Sequence, residues 1–128
     1  MRPGLEGISI LVLEDDRDTM ELFAGSLRKL GGDVRATSNA AAALDILASW
    51  EPDVILCDLH LAGSDGYAFL ESLRALGAHR TTPVIAISAS HPVIERERAL
   101  QAGFADYVVK PTRISEIAAV ITTCTTAA

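Results

Sequence analysis

The chain has 128 residues, 49% of them hydrophobic, with a formal net charge of −6. That length suits one domain around one core, and no stretch approaches the roughly 20 uninterrupted apolar residues of a membrane-spanning helix. An acidic chain gains nothing from nucleic-acid phosphates, and Arg28, Lys29, Arg74, Arg96 and Arg98 are scattered among carboxylates, so no direct nucleic-acid binding and no membrane insertion are expected.

Residues 1–7, MRPGLEG, carry one arginine and no apolar run ahead of a small-residue cleavage site. They read as a leader and not as a signal peptide, so a cytoplasmic chain is expected. From Ile8 onward, five runs rich in Val, Ile and Leu alternate with five amphipathic segments. The first run is ISILVL, Ile8 to Leu13. Asp16 is then a candidate helix cap, Met20, Phe23, Leu27 and Leu30 form one stripe, and Gly31 ends the helix. DVRAT, Asp33 to Thr37, is interrupted by Arg35 and reads as an edge strand. Ser38 and Asn39 precede a second stripe of Ala40, Leu44 and Leu47. DVILC, Asp53 to Cys57, leads to Tyr67, Leu70 and Leu73, closed by Gly77. PVIAI, Pro83 to Ile87, precedes a fourth helix from about Pro92 to just before Gly103. DYVVK, Asp106 to Lys110, is followed by Thr112 as a cap and by Ile114, Ile117 and Ile121. Residues 8–122 form the expected domain, and 123–128 a tail expected to fray. The two cysteines, Cys57 and Cys124, lack metal-type spacing and read as free thiols.

Nearly continuous apolar strands alternating with helices over short connections point to a parallel sheet covered on both faces. Five strands in this pattern suit the flavodoxin-like order 2-1-3-4-5, a (βα)5 sandwich. In such a sheet, ligands bind beyond the carboxyl ends of the strands. Glu14, Asp15 and Asp16 follow the first strand, Asp58 the third, Ser88 the fourth, and Lys110 ends the fifth. Neighbouring first and third strands would crowd Glu14, Asp15 and Asp58 together. Two unit charges about 4 Å apart repel by roughly 4 kcal/mol at an effective dielectric near 20. A proton, a cationic side chain or a metal must offset that, and all-oxygen ligands with room for water favour Mg²⁺. Lys110 adds a fixed positive charge. Such a pocket supports phosphoryl transfer onto Asp58 as a carboxylate nucleophile, with Ser88 offering a hydroxyl to a phosphoryl oxygen. Taken singly, Asp16 is a helix cap, Asp58 and Ser88 have turn or cap readings, and Lys110 reads as a solvated lysine; the joint placement is the specific signal.

ILVLEDD, DVILCDLHLAGSDGY, PVIAISAS and GFADYVVKP closely resemble the receiver domains of two-component signalling, from about Ile8 to Ile121. The resemblance implies that Glu14 and Asp15 are the acidic pair, Asp15 ligating the metal directly, and that Asp58 is the phosphoacceptor. It implies a backbone carbonyl of His60 on Mg²⁺, Ser88 as the switch hydroxyl beside the small Ala89, and Lys110 as the phosphate-contacting lysine. Lys110-Pro111 is expected to be cis, and Tyr107 to be the switch aromatic that turns inward as Ser88 moves. For Tyr107 the plain alternative is an edge-strand aromatic packed against the fourth helix. The implied partners are a sensor histidine kinase or histidine phosphotransfer protein, and a downstream protein met by the face of the fourth helix, fifth strand and fifth helix. The chain would be a monomer or weak homodimer. It would be no enzyme beyond self-phosphorylation from a phosphodonor and autodephosphorylation. Ala62 departs from the family's usual proline, while Glu14 for aspartate and Ser88 for threonine lie within its range. His60 and Ser90 flank the site where relatives tune autodephosphorylation, but His60, like His79 and His91, reads as a solvated imidazole.

Three other readings compete. A flavin mononucleotide binder would share the fold, yet EDDRD after the first strand repels an anion. A haloacid-dehalogenase-like phosphatase would need a second aspartate where His60 stands, and a cap domain. A degenerate receiver acting as a phosphorylation-independent interaction module predicts loss of acidic-pair, acceptor or lysine residues, all of which are retained. The sequence leaves open a free-standing regulator and a segment of a larger protein. The opening LEGISILVLEDDRDT resembles receivers appended to hybrid histidine kinases.

Overall fold

The computed structural model describes residues 4–61, 64–77, 81–89 and 92–126. Ala62, His79, Ser90 and His91, singled out above, lie outside the described residues. The main strands are β1 (Ser9–Leu13), β2 (Asp33–Thr37), β3 (Val54–Asp58), β4 (Val84–Ser88) and β5 (Asp106–Val109). The helices are α1 (Arg17–Lys29), α2 (Ala40–Leu47), α3 (Gly66–Ala75), α4 (Pro92–Ala102) and α5 (Ile114–Thr126). All four strand pairings are parallel and the order is 2-1-3-4-5. A two-residue antiparallel ladder joins His60–Leu61 to Ser64–Asp65 just beyond β3.

Strand alternation sorts the core into two layers. Leu11, Leu13, Ile55, Cys57, Val84, Ala86 and Tyr107 face α2, α3 and α4. Ile10, Val12, Val54, Leu56, Ile85, Ile87 and Val108 face α1 and α5. Both faces of the central strands are therefore apolar, the physical reason for their near-continuous hydrophobic runs. β2 is half exposed, and its interrupting Arg35 lies 4.3 Å over the Trp50 ring.

Asp16 caps α1 by accepting from the Thr19 N–H at 2.9 Å. Gly31 ends that helix at φ 102°, and its N–H donates to the Arg28 carbonyl. At α5 the Arg113 carbonyl accepts from Glu116 and Ile117 N–H, while the Thr112 hydroxyl donates to the Glu116 carboxylate at 3.2 Å. Thr112 is thus tied to the first turn through a side chain and does not take the cap position expected of it.

The ends of the chain differ from their reading as leader and tail. Leu5 is fully buried in the α1–α5 layer, and its N–H donates to the Leu30 carbonyl at 2.9 Å. One apolar side chain among charged and glycine neighbours gives no periodic signal. α5 runs on to Thr126, and along it the hydroxyls of Thr122, Thr123 and Thr125 donate to carbonyls four residues back. β3 and β4 each extend one residue further than their apolar runs, since Asp58 pairs with Ile87 and Ser88 with Val109 in the ladder.

Candidate functional site

The sheet delivers its polar residues to one edge. Asp58 and Ser88 are the last residues of β3 and β4, and Glu14 and Lys110 directly follow β1 and β5. The backbone ladder continues past the strands: the Glu14 N–H donates to the Thr37 carbonyl, Leu59 to Ile87, and Lys110 to Ser88 at 2.9 Å. These bonds fix where each side chain starts. Glu14, Asp58 and Ser88 are buried to 2%, 4% and 0% exposure, whereas Asp15 is exposed.

Carboxylate oxygens of Glu14, Asp15 and Asp58 lie within 4.8 Å of one another. Lys110 enters this cluster. Its Nζ donates to Glu14 Oε1 and Oε2 at 3.0 and 2.9 Å, and to Asp58 Oδ2 at 3.3 Å. The other Asp58 oxygen, Oδ1, accepts from the His60 N–H at 2.9 Å. Burial pushes the Glu14 carboxyl up to about 7, with the Lys110 bond pulling down and the Asp58 charge adding to the rise. Burial alone would lower Lys110, but its bond to Glu14 and the charges of Asp58 and Glu14 hold it above the ordinary lysine value. The ammonium is the offsetting charge that the crowding of carboxylates demands.

The donor set fits a hard divalent cation: three carboxylates converge, one of them open to solvent, with no sulfur or imidazole nitrogen among the three. Gly66 stands close behind the Asp58 backbone. A Cβ there would meet the Asp58 carbonyl oxygen at 2.9 Å and Leu59 Cα at 3.0 Å, so only glycine lets α3 begin against this strand end. Beside Lys110 a cleft of about 310 Å³ opens between α1 and the segment after β5, lined by Leu22, Phe23, Ala89 and Pro111. The Lys110-Pro111 bond is cis.

Tyr107 is 4% exposed and belongs to the core layer of Phe104, Leu70 and Ala99, so its ring lies inside; the Arg96 guanidinium donates to its carbonyl at 3.3 Å. Sequence reasoning missed a second polar centre. Glu95 of α4 is 8% exposed and accepts from the Tyr67 hydroxyl at 3.1 Å. Burial first, then this bond, pushes the Tyr67 phenol up to about 12. An acidic residue on a helix rich in charge carries no sequence signal of burial. The missing signal was positive: α4 has few apolar residues able to form an inner face.

Known proteins share this fold and much of this sequence. A family model described as the response regulator receiver domain matches residues 10–122. The chain is 35% identical over 107 residues to an uncharacterized 14.6 kDa protein of Leptolyngbya boryana, covering 84% of this chain and 82% of that one. It is 33% identical over 119 residues to the transcriptional regulatory protein PrrA of Mycobacterium tuberculosis, covering 93% of this chain but only 50% of that protein's length. The receiver domain of the sensor histidine kinase PA1611 of Pseudomonas aeruginosa, whose crystal structure has a magnesium ion coordinated in its active site cleft, superposes with TM-score 0.86. It is 30% identical, and the match covers 94% of this chain and 99% of that one. Among the described residues no helix is long and apolar enough to cross a membrane. With strand order, matched span and level of identity in agreement, the chain belongs to the response regulator receiver domains, the regulatory modules of two-component signalling that take phosphoryl groups from histidine kinases.

Proposed function

We propose that the chain is a phosphorylation-dependent switch in which Asp58 is the phosphoacceptor. The observation that carries this reading is the buried Asp58 carboxylate, held between the His60 N–H and the Lys110 ammonium within reach of Glu14 and Asp15. The donor is a phosphohistidine on a sensor histidine kinase or histidine phosphotransfer protein. An Asp58 carboxylate oxygen bonds to phosphorus as the phosphorus–nitrogen bond of the donor breaks. The bonding pair leaves on the imidazole nitrogen, which then takes a proton from solvent. Lys110 keeps a fixed positive charge beside the acceptor, where the phosphoryl oxygens arrive, and Ser88 supplies a hydroxyl from the end of β4.

Glu14, Asp15, Asp58 and the backbone carbonyl of His60 would hold Mg²⁺. When bound, the ion supplies charge neutralisation for the phosphoryl oxygens. The apolar cleft beside Lys110 gives a donor protein a surface next to the acceptor. Phosphorylation then shifts the population between two packings of Ser88 and Tyr107, and with them the face of α4, β5 and α5 that a downstream protein reads. We assign the chain to the cytoplasm as a monomer or weak homodimer, with no chemistry beyond its own phosphorylation and dephosphorylation.

Incubation with acetyl phosphate and Mg²⁺, followed by intact mass measurement, tests the acceptor. One phosphoryl group is expected on the wild type and none on Asp58→Asn, and a chelator should abolish the gain. An equal gain in the variant overturns the assignment. No gain in the wild type, together with no binding of beryllofluoride, favours an interaction module that works without phosphorylation.

A further inference from the structure

α4 meets the rest of the molecule through an inner face that is largely polar. From Val93 to Ala102 only Glu95 and Ala99 are buried. Val93 and Ile94 point outward at 71% and 69% exposure. One alanine removes too little apolar surface to fix a helix of 11 residues in place. Among the described residues the polar ties are Arg96, whose guanidinium donates to the Tyr107 carbonyl at 3.3 Å and lies 3.3 Å from Asp106 of β5, and the buried Glu95 carboxylate, which faces α3.

Three elements converge on it. Tyr67, in the first turn of α3, donates its hydroxyl to Oε2 at 3.1 Å. Arg98, one turn along α4, places Nη1 3.8 Å from the same oxygen, and its guanidinium lies 4.5 Å over the Tyr67 ring. His60, from the segment after β3, brings Nε2 within 4.0 Å of Oε1. The same residue's N–H donates to Asp58 Oδ1. His60 therefore stands between the two carboxylates, bonded to Asp58 through its N–H and approaching Glu95, beyond hydrogen-bond distance, with a largely exposed imidazole. A carboxylate taken out of water is tolerated only while its partners stay in place, so loss of one favours swinging the helix outward, where Glu95 regains solvent.

We infer that Glu95 is a latch fastening α4 to the acceptor loop through Tyr67 and His60, so that the opening of α4 depends on how His60 is held. Its regulatory consequence rests on Asp58 being the phosphoacceptor: a group placed on Asp58 competes for the His60 N–H and loosens α4 through the latch.

Amide hydrogen exchange of the full chain, read by mass spectrometry without any phosphodonor, tests the latch directly. Glu95→Ala should speed exchange in α4 by about fivefold, the ratio that one net hydrogen bond contributes. Alanine is the better helix former, so helix propensity alone predicts the opposite sign. His60→Ala, which leaves the backbone intact, should speed exchange in α4 as well, and the double variant should do no more than the larger single change. Tyr67→Phe keeps the ring and should give a smaller rise of the same sign. If Glu95→Ala fails to fold, His60→Ala and Tyr67→Phe decide. Additive effects, or a His60→Ala change confined to its own segment, overturn the latch. A second arm adds acetyl phosphate and Mg²⁺: exchange in wild-type α4 should rise towards that of Glu95→Ala, which should itself rise no further. Phosphorylation with no change in α4 overturns the coupling while leaving the acceptor intact. No phosphorylation at all overturns the acceptor reading, and the first arm still decides the latch.

Discussion

α5 and α4 pack on opposite faces of the same sheet and are fastened by different physics. α5 presents Ile117, Ala118 and Ile121, all at 0% exposure. α4 presents Glu95 and Ala99. Apolar burial is non-directional and indifferent to the charge state of the pocket. A buried carboxylate hydrogen-bonded by a phenol from another helix, with a guanidinium and an imidazole nearby, depends on the position of its partners. Under the proposed latch, one helix is built to stay and the other to respond. The carboxylates of the pocket sit on strands stabilised by the first kind of contact, and the helix that borders them is held by the second.

Substitutions that compare the two sides should differ in size. Ile121→Ala removes a fully buried side chain from the α5 layer and should cost about 3 kcal/mol of unfolding free energy in urea, by the usual range for large-to-small changes in a core. A loss below that of any α4 substitution would reverse the comparison. Lys110→Ala, at the junction between β5 and α5, leaves Glu14 and Asp58 without their ammonium. A cost of about 2 kcal/mol is expected, reduced from that of a fully buried pair because Lys110 is partly solvated. Adding Mg²⁺ should raise the melting temperature of this variant more than that of the wild type; equal shifts would mean that lysine and cation do not share the pocket. Gly66→Ala forces a methyl group against the Asp58 carbonyl, where backbone must give way. It should cost about 1–2 kcal/mol and, with Asp58 as the proposed acceptor, slow phosphoryl uptake from acetyl phosphate, since overpacking here displaces the end of β3. A variant of unchanged stability and uptake would show that the start of α3 is free to shift. Val93→Ser, on the outer face of α4, should change stability by less than about 0.5 kcal/mol in the same denaturation measurement.

The fold was legible because parallel strands covered on both faces must be apolar throughout, and the helices between them stripe at a different period. DVRAT was legible as an edge strand for the converse reason: Arg35 can lie over Trp50 only where one side of the sheet is open. The positions of Glu14, Asp15, Asp58, Ser88 and Lys110 at strand ends followed from the same pattern. The boundaries did not. Leu5 is placed by a single buried contact and the threonines of α5 carry back-bonding hydroxyls, and neither leaves a periodic trace.

The sequence by itself determined which residue types stand at the carboxyl edge of the sheet, because hydrophobic runs mark strand ends locally. Only the tertiary structure decided that Lys110 pairs with Glu14, 96 positions away, as well as with Asp58. It also decided that α4 turns a carboxylate inward. Periodicity finds an inner face by its apolar residues, so a face closed by Glu95 and its partners exists only once α3, the segment after β3, and α4 have been brought together.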